Sequence, residues 1–341
     1  MRTTDVGSRR RFHLPARDEA GRFRLVLIVV ALSVGLGVGL LVRLGVGPFP
    51  DPEGCTAEVD GVSVDLTTEQ AENAAFIAAV SVRRGMPARA VSIALAAAFQ
   101  ESKLRNIEHG DRDSVGLFQQ RPSQGWGTEE EILDPEHSVN AFYDALVRID
   151  GYQDMRITEA AQAVQRSGYP EAYEEHAEGA RALASALTGY SPARFSCVVN
   201  EPDLSAEDLT DSGLTPRAEA VHDDLERAFG DLPMGGFAPG GISTGHSEGS
   251  AHYDGRAIDV FVRPVSESNR RKGWAIASYL VARAKALGIE NVIFDDRIWG
   301  DGRRSEEGWR AYDPPRSGGS AAEQAVLEHR DHVHVDVVAG D

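Results

Sequence analysis

The sequence predicts a multidomain chain: an N-terminal transmembrane helix, a mostly α-helical domain, and an α+β domain with a small sheet. Three observations carry that expectation. Leu25 to Val42 is an eighteen-residue run without a charge, about the minimum length for a helical membrane span. From Thr67 onward, apolar residues recur at helical spacing through several segments. Beyond Pro216, short β-branched runs alternate with glycine-containing loops and one long amphipathic segment. A length of 341 residues suits two domains or slightly more.

The elements follow in order. Residues 1–24 form a basic tail that includes Arg9, Arg10 and Arg11, and residues 25–46 form the expected span. By the positive-inside rule the N-terminus is cytoplasmic and the remainder extracytoplasmic, a single-pass protein of the cell membrane. A cleaved signal peptide is the rival, but the apolar run is long and Gly45-Val46-Gly47 before Pro48 is a poor cleavage site. Residues 47–66, opening with Gly47-Pro48-Phe49-Pro50, read as a stalk. The first domain is placed at 67–190. Thr67 offers an N-cap, and Pro87 opens a helix whose body, Val91 to Phe99, is apolar nearly all round and so reads as buried. Further helices are expected at Pro135–Arg148, Ile157–Gln165 and Pro170–Leu187. Residues 191–213, polar and acidic with Pro192 and Pro202, read as a linker. The second domain, 214–341, should hold a helix at Pro216–Phe229 and strands at Ala257–Val262, Val292–Phe294 and His332–Val338. An amphipathic helix at Gly273–Leu287 lies among them.

Charge narrows the partners. The net charge is −18. Residues 1–46 contribute about +5 and the remainder about −23. So acidic a body argues against a nucleic-acid partner. It also argues against broad attraction to anionic polymers, so a substrate must be read by a pocket. Protein partners are not legible. Cys55 and Cys197 fit an exported protein, either joined as a disulfide or as two free thiols.

Chemistry concentrates in two places. The first is Ser250-Ala-His252-Tyr-Asp-Gly255-Arg-Ala257-Ile-Asp259, answered later by Asp331-His332-Val-His334. Gly255 lets the backbone turn between His252 and Asp259. With Ile258 and Val260 buried on one strand face, Asp259 points to the other, and His332 and His334 share a face by alternation. His252, Asp259 and His334 then make a donor set suited to zinc, with Asp331 placed to act as base. His332 is left to stabilise a developing oxyanion. The alternative is a set of structural His and Asp residues on strands. His246 and His329, close by, read as surface residues or as supports for the ligands.

These residues resemble the zinc D-Ala-D-Ala carboxypeptidase and dipeptidase family of cell-wall enzymes, over about 214–341. Its pattern is S-x-H-x-x-G-x-A-x-D, then an acid, two residues and a histidine. The resemblance implies His252, Asp259 and His334 as zinc ligands and Asp331 as catalytic base. That family usually places an Arg shortly before the first motif. Gly230 to Ala251 contains none, and Arg256, Arg263 and Arg297 are the possible substitutes.

The second place is Glu101-Ser102, followed by Gly116-Leu117-Phe118-Gln119-Gln120 and Pro122. A glutamate closing an apolar helix is a candidate proton donor to a glycosidic oxygen. The pattern resembles the lysozyme-like soluble lytic transglycosylases, over about 67–190. It implies Glu101 as the single acid/base and Gln119 in the glycan groove. Phe118 replaces that family's Met, and Ala163-Val164-Gln165 stands where its A-Y-N motif would be. Asp111 and Asp113 are candidates for a second carboxylate, and Trp126, Tyr143, Tyr152 and Tyr169 for stacking on sugars. A structural salt bridge at Glu101, or glycan binding without cleavage, is the alternative. Together the two resemblances imply a membrane-anchored peptidoglycan hydrolase that cuts glycan strands and stem or cross-link peptides. The alternative is that only one domain is catalytic and the other binds or regulates.

Overall fold

A computed structural model describes residues 52–314 and 319–340. Asp60 and Gly61 both have positive φ, 51° and 83°. They form the two-residue turn whose twist suits an antiparallel hairpin, joining β1 (Gly54–Val59) to β2 (Val62–Leu66). β3 (Phe195–Val198) adds to the other side of β1, giving an antiparallel sheet ordered β2-β1-β3. Cys55 lies directly across from Cys197 in this register, and the two are joined as a disulfide. Segments that read as stalk and linker therefore pair with one another.

Between these strands the chain is helical. α1 (Thr68–Arg83) starts on a capping box in which Thr67 and Gln70 satisfy each other's backbone N–H. α2 (Ala88–Ser102) is buried almost all round, its alanines letting neighbours pack closely, and it stops where Lys103 and Leu104 turn left-handed at φ 57° and 58°. α3 (Glu129–Leu133) and α4 (Pro135–Leu146) follow, then α5 (Ile157–Gln165) and α6 (Ala177–Leu187). Ala172–His176, expected as the start of the last helix, is a separate 3-10 turn.

The rest is built on a six-stranded antiparallel sheet. α7 (Pro216–Phe229), capped by Thr215, leads into β4 (Met234–Gly235) and β5 (Ala257–Phe261). α8 (Glu267–Leu287) packs on the sheet before β6 (Ile289–Phe294), β7 (Arg297–Gly300) and β8 (Arg310–Ala311). α9 (Ala321–Leu327) precedes β9 (His332–Val337), which enters the middle of the order β4-β5-β9-β6-β7-β8. β9 is buried at every position, so its polar side chains need partners inside the protein.

Two expectations are corrected. The predicted class is replaced by helices with two antiparallel sheets. Its transmembrane helix at 25–46 lies outside the described residues, and among those residues no helix is long and apolar enough to cross a membrane. Even α8, at 21 residues, carries Glu267, Arg270, Arg271 and Lys272 in its first two turns. The single-pass placement in the cell membrane, with a cytoplasmic N-terminus, is corrected on the same finding.

Candidate functional site

β5 and β9 run antiparallel with Asp259 directly across from His334. His252 arrives from the 3-10 turn Ala251–Asp254, which ends at Gly255 with φ 67°. A Cβ at Gly255 would lie 2.5 Å from the Gly213 carbonyl oxygen, so both conformation and space demand glycine there. The three side chains are buried and converge. His252 Nε2 lies 3.1 Å from His334 Nδ1 and 3.2 Å from Asp259 Oδ1, and His334 Nδ1 lies 3.2 Å from the same oxygen.

The outward-facing nitrogens explain how the rings are held. His252 Nδ1 donates to the Gly236 carbonyl at 2.8 Å, and His334 Nε2 donates to Asp336 Oδ2 at 3.1 Å. Carbonyl and carboxylate oxygens only accept, so each ring is directed to present its other nitrogen inward. A tetrahedral ion with bonds of about 2.0–2.1 Å sets its ligands about 3.3–3.4 Å apart. The triangle is within a few tenths of that spacing, and the donor set fits such an ion. Burial works to lower the His334 imidazolium, but hydrogen bonds to Asp259 and Asp336 outweigh it and push its pKa up to about 9. Burial would raise the Asp259 carboxyl, but hydrogen bonds from His252 and His334 hold it far below the usual carboxylate range.

Asp331 and His332 form a pair beside this triangle. Asp331 Oδ1 accepts from His332 Nδ1 at 2.7 Å, and its Oδ2 accepts from Arg263 Nε at 2.7 Å. The far nitrogen of His332, Nε2, lies 3.7 Å from Asp259 Oδ1. A cavity of about 790 Å³ opens here, and its walls include His332 and Arg263. Burial raises the Asp331 carboxyl, but the bonds from His332 and Arg263 win, leaving it lowered. Of the three arginines considered, Arg263 reaches the pair. Its guanidinium lies over the Phe261 ring at 4.3 Å and its side chain is half exposed. Arg256 is bound to the Val337 carbonyl on the cavity wall, and Arg297 lines a different cavity.

Both neighbouring histidines belong to this cavity. His246 stacks on His252 with ring centroids 3.8 Å apart, and its nitrogen lies within 4.8 Å of the His252 and Asp259 donors. His329 gives its Nδ1–H to the Leu327 carbonyl, and burial, with the charges of His332 and His334, pushes its pKa down to about 3. It stays neutral over the physiological range. Sequence reasoning missed Gly236 and Asp336. Asp336 was findable, because His332, His334 and Asp336 alternate onto one strand face. Gly236 was not: a Cβ there would meet the His252 ring at 2.4 Å, a contact made only by the fold.

The glutamate motif assembles on the helical side. Ser102 Oγ donates to the Leu117 carbonyl at 2.7 Å, tying the Glu-Ser pair to the Gly-Leu-Phe-Gln turn. Glu101 Oε1 accepts from Tyr173 Oη at 2.6 Å, and Gln165 Nε2 donates to the Phe118 carbonyl at 2.7 Å. Gln119, at φ 48°, folds its amide back onto the carbonyls of His109 and Gly116. Asp113 accepts from the Ser123 backbone and from Arg121, and hydrogen bonding by the Ser123 side chain and backbone, then by Arg121, holds its carboxyl well below the usual range. Asp111 is exposed. Tyr143 and Tyr152 are core residues, Trp126 packs partly buried against the core, and Tyr169 is exposed.

Comparison with known proteins adds one finding. Residues 210–325 are similar to the family described as VldE, C-terminal domain. The match takes in His252 and Asp259 and stops short of Asp331, His332 and His334. It is a different family from either that the motifs resemble. No curated protein matches the chain.

Proposed function

We propose that this protein is a zinc-dependent peptidoglycan hydrolase acting on stem or cross-link peptides, with His252, Asp259 and His334 as the metal ligands. One observation carries the reading: three inward donors 3.1–3.2 Å apart, their outer nitrogens committed to Gly236 and Asp336. When bound, zinc would polarise a carbonyl oxygen and make water acidic enough to ionise near neutral pH. The chain's own residues supply the rest. His332 faces the cavity through Nε2, so it is the group that takes and returns a proton. Asp331 holds His332 Nδ1–H at 2.7 Å, which fixes the ring's orientation. Asp331 thus acts through His332. Arg263 offers its remaining N–H groups to a substrate carboxylate or a developing oxyanion.

Two imidazoles and one carboxylate also suit iron(II). The Asp331–His332 pair and Arg263 favour hydrolysis, which needs a proton carrier and an anion partner. Metal analysis of the purified protein at neutral pH should find one zinc per chain. Iron in its place, or no metal, would sink the reading. Incubation with purified sacculi followed by mass spectrometry should show new peptide termini, lost in the His334→Ala and His332→Ala variants.

The glutamate site supports a second activity on the same polymer, glycan cleavage with Glu101 as acid. Its support is the short Tyr173–Glu101 hydrogen bond at the end of α2, together with the Ser102–Leu117 bond. Glu101→Gln should abolish release of glycan fragments and leave peptide cleavage intact. Unchanged glycan release would reduce this region to a binding role.

A further inference from the structure

A second cavity, of about 580 Å³, shares no lining residue with the first and has no part in the proposed chemistry. Four arginines line it: Arg194, Arg270, Arg297 and Arg330. They come from four separate segments: the entry to β3, the first turn of α8, the start of β7 and the entry to β9. In a chain of net charge −18, such a concentration of cations needs a reason.

The local structure supplies half of one. β6 and β7 are joined by Asp295 and Asp296, both left-handed at φ 51° and 63°, where Asn-Gly or Asp-Gly is the usual choice. Their carboxylates orient two of the guanidiniums. Asp295 Oδ2 accepts from Arg270 Nε at 2.7 Å and from Trp274 Nε1 at 2.9 Å, and Asp296 Oδ2 accepts from Arg330 at 2.7 Å. The other two, Arg194 and Arg297, are exposed, and among the described residues no carboxylate lies within ion-pair reach of them. Glu328, outside the lining, also pairs with Arg330 Nε at 3.0 Å, so four cations meet three anions and the uncompensated charge lies on Arg194 and Arg297. Trp274 and Trp309 pack edge to face at 5.0 Å behind it, making a rigid wall.

We infer that this cavity binds a phosphate group. A carboxylate is planar, and Asp295 and Asp296 each take a single guanidinium on one oxygen. A phosphate presents oxygens in several directions and can engage guanidiniums that arrive from different segments. Arg270 and Arg330, held by their aspartates, keep N–H groups to spare, and Arg194 and Arg297 supply the uncompensated charge.

Isothermal titration of the full-length protein at low ionic strength tests this, using inorganic phosphate, pyrophosphate and a glycerol-phosphate oligomer as probes. Glutarate and sodium chloride at matched ionic strength are the controls. Phosphate probes should bind with one site per chain and glutarate should not. Arg194→Gln combined with Arg297→Gln should weaken binding by at least about tenfold. Arg303→Gln, which removes an exposed charge elsewhere, should leave it unchanged. Tighter binding of the oligomer would place the phosphate in a phosphodiester polymer, and tighter binding of pyrophosphate would place it in a small ligand. Absence of binding by all three probes overturns the proposal, as does equal weakening by Arg303→Gln or equal binding of glutarate. Circular dichroism of each variant confirms that the fold is kept, and the exposure of both arginines makes that the expected result.

Discussion

Asp301 is buried with Oδ1 bonded to Arg304 at 2.9 Å, while Oδ2 makes no hydrogen bond among the described residues. Burial pushes its carboxyl up from the ordinary value to about 6, with the Arg304 bond pulling the other way. A raised folded-state value means that the fold favours the neutral form. That stabilisation is complete below the unfolded value of about 3.8 and is lost as pH rises through about 6. Asp301→Asn is neutral throughout, so it should raise the melting temperature at pH 7.5 and match the parent near pH 4. Calorimetric scans from pH 4 to 8 check this, and identical melting curves at pH 7.5 would refute it. Asp336 is a second buried carboxylate whose role can be tested. It holds His334 Nε2 and also accepts from Asn291 Nδ2 at 2.9 Å. Removing such an outer partner typically weakens metal binding by about 10–100-fold. Asp336→Ala should show that loss in competition with a chelator, while its far-ultraviolet spectrum stays unchanged.

At the level of elements, the long helices were the legible part, while the short α3 and α9 and the first turns of α8 were not expected. The helix expected at Pro216–Phe229 is α7, the short apolar runs marked β5 and β6, and the alternating run marked β9, because these signals are local in sequence. The three-stranded sheet was less legible for two different reasons. Val59-Asp60-Gly61-Val62 is a hairpin signature that the proline-rich stretch before it obscured. β3 is separated from β1 by the entire helical segment, and no local pattern announces a pairing so distant. The metal-ligand triangle was legible because strand alternation fixes which side chains share a face. The order in which Asp331 and His332 meet the cavity was not, since it depends on Arg263 holding Asp331 from the far side. The hairpin turn offers a clean measurement. Gly61 has φ 83°, and a Cβ added there would have no neighbouring atom within 4 Å, so a substitution changes backbone conformation alone. Gly61→Ala should destabilise the protein by about 1–2 kcal/mol, the usual penalty for a left-handed L-residue. A shift of the urea midpoint without a change in slope would show it, and an unchanged midpoint would argue against the Asp60-Gly61 turn.

On the scale of the molecule, residues 52–341 group as one compact unit. Polar contacts stitch the helical region to the six-stranded sheet. Arg283 of α8 bonds Glu72 of α1 at 2.7 Å and both oxygens of Asp224 on α7 at 3.1 Å, and Tyr279 donates to Asp224 at 2.7 Å. Trp299 and Trp309, from the second region, donate their indole N–H groups to the Cys197 and Phe195 carbonyls of β3. The disulfide closes a separation of 142 residues, which the chain-entropy model values at about 5 kcal/mol. The helical core and the metal-ligand triangle should therefore unfold together. Arg283 makes this testable, because Glu72 and Asp224 would lose a common cation. Burial already pushes the Glu72 carboxyl up, and the Arg283 charge opposes that shift. Arg283→Ala should destabilise by about 1.5–3 kcal/mol, the range for hydrogen bonds to charged groups, since all three side chains are only partly buried. Amide exchange resolves where the loss falls. Protection in α2 and in β9 should drop by the same free energy, since neither region is stable without the other. A fall confined to α8 and β9, with α2 unchanged, would mean two regions that fold independently and merely touch.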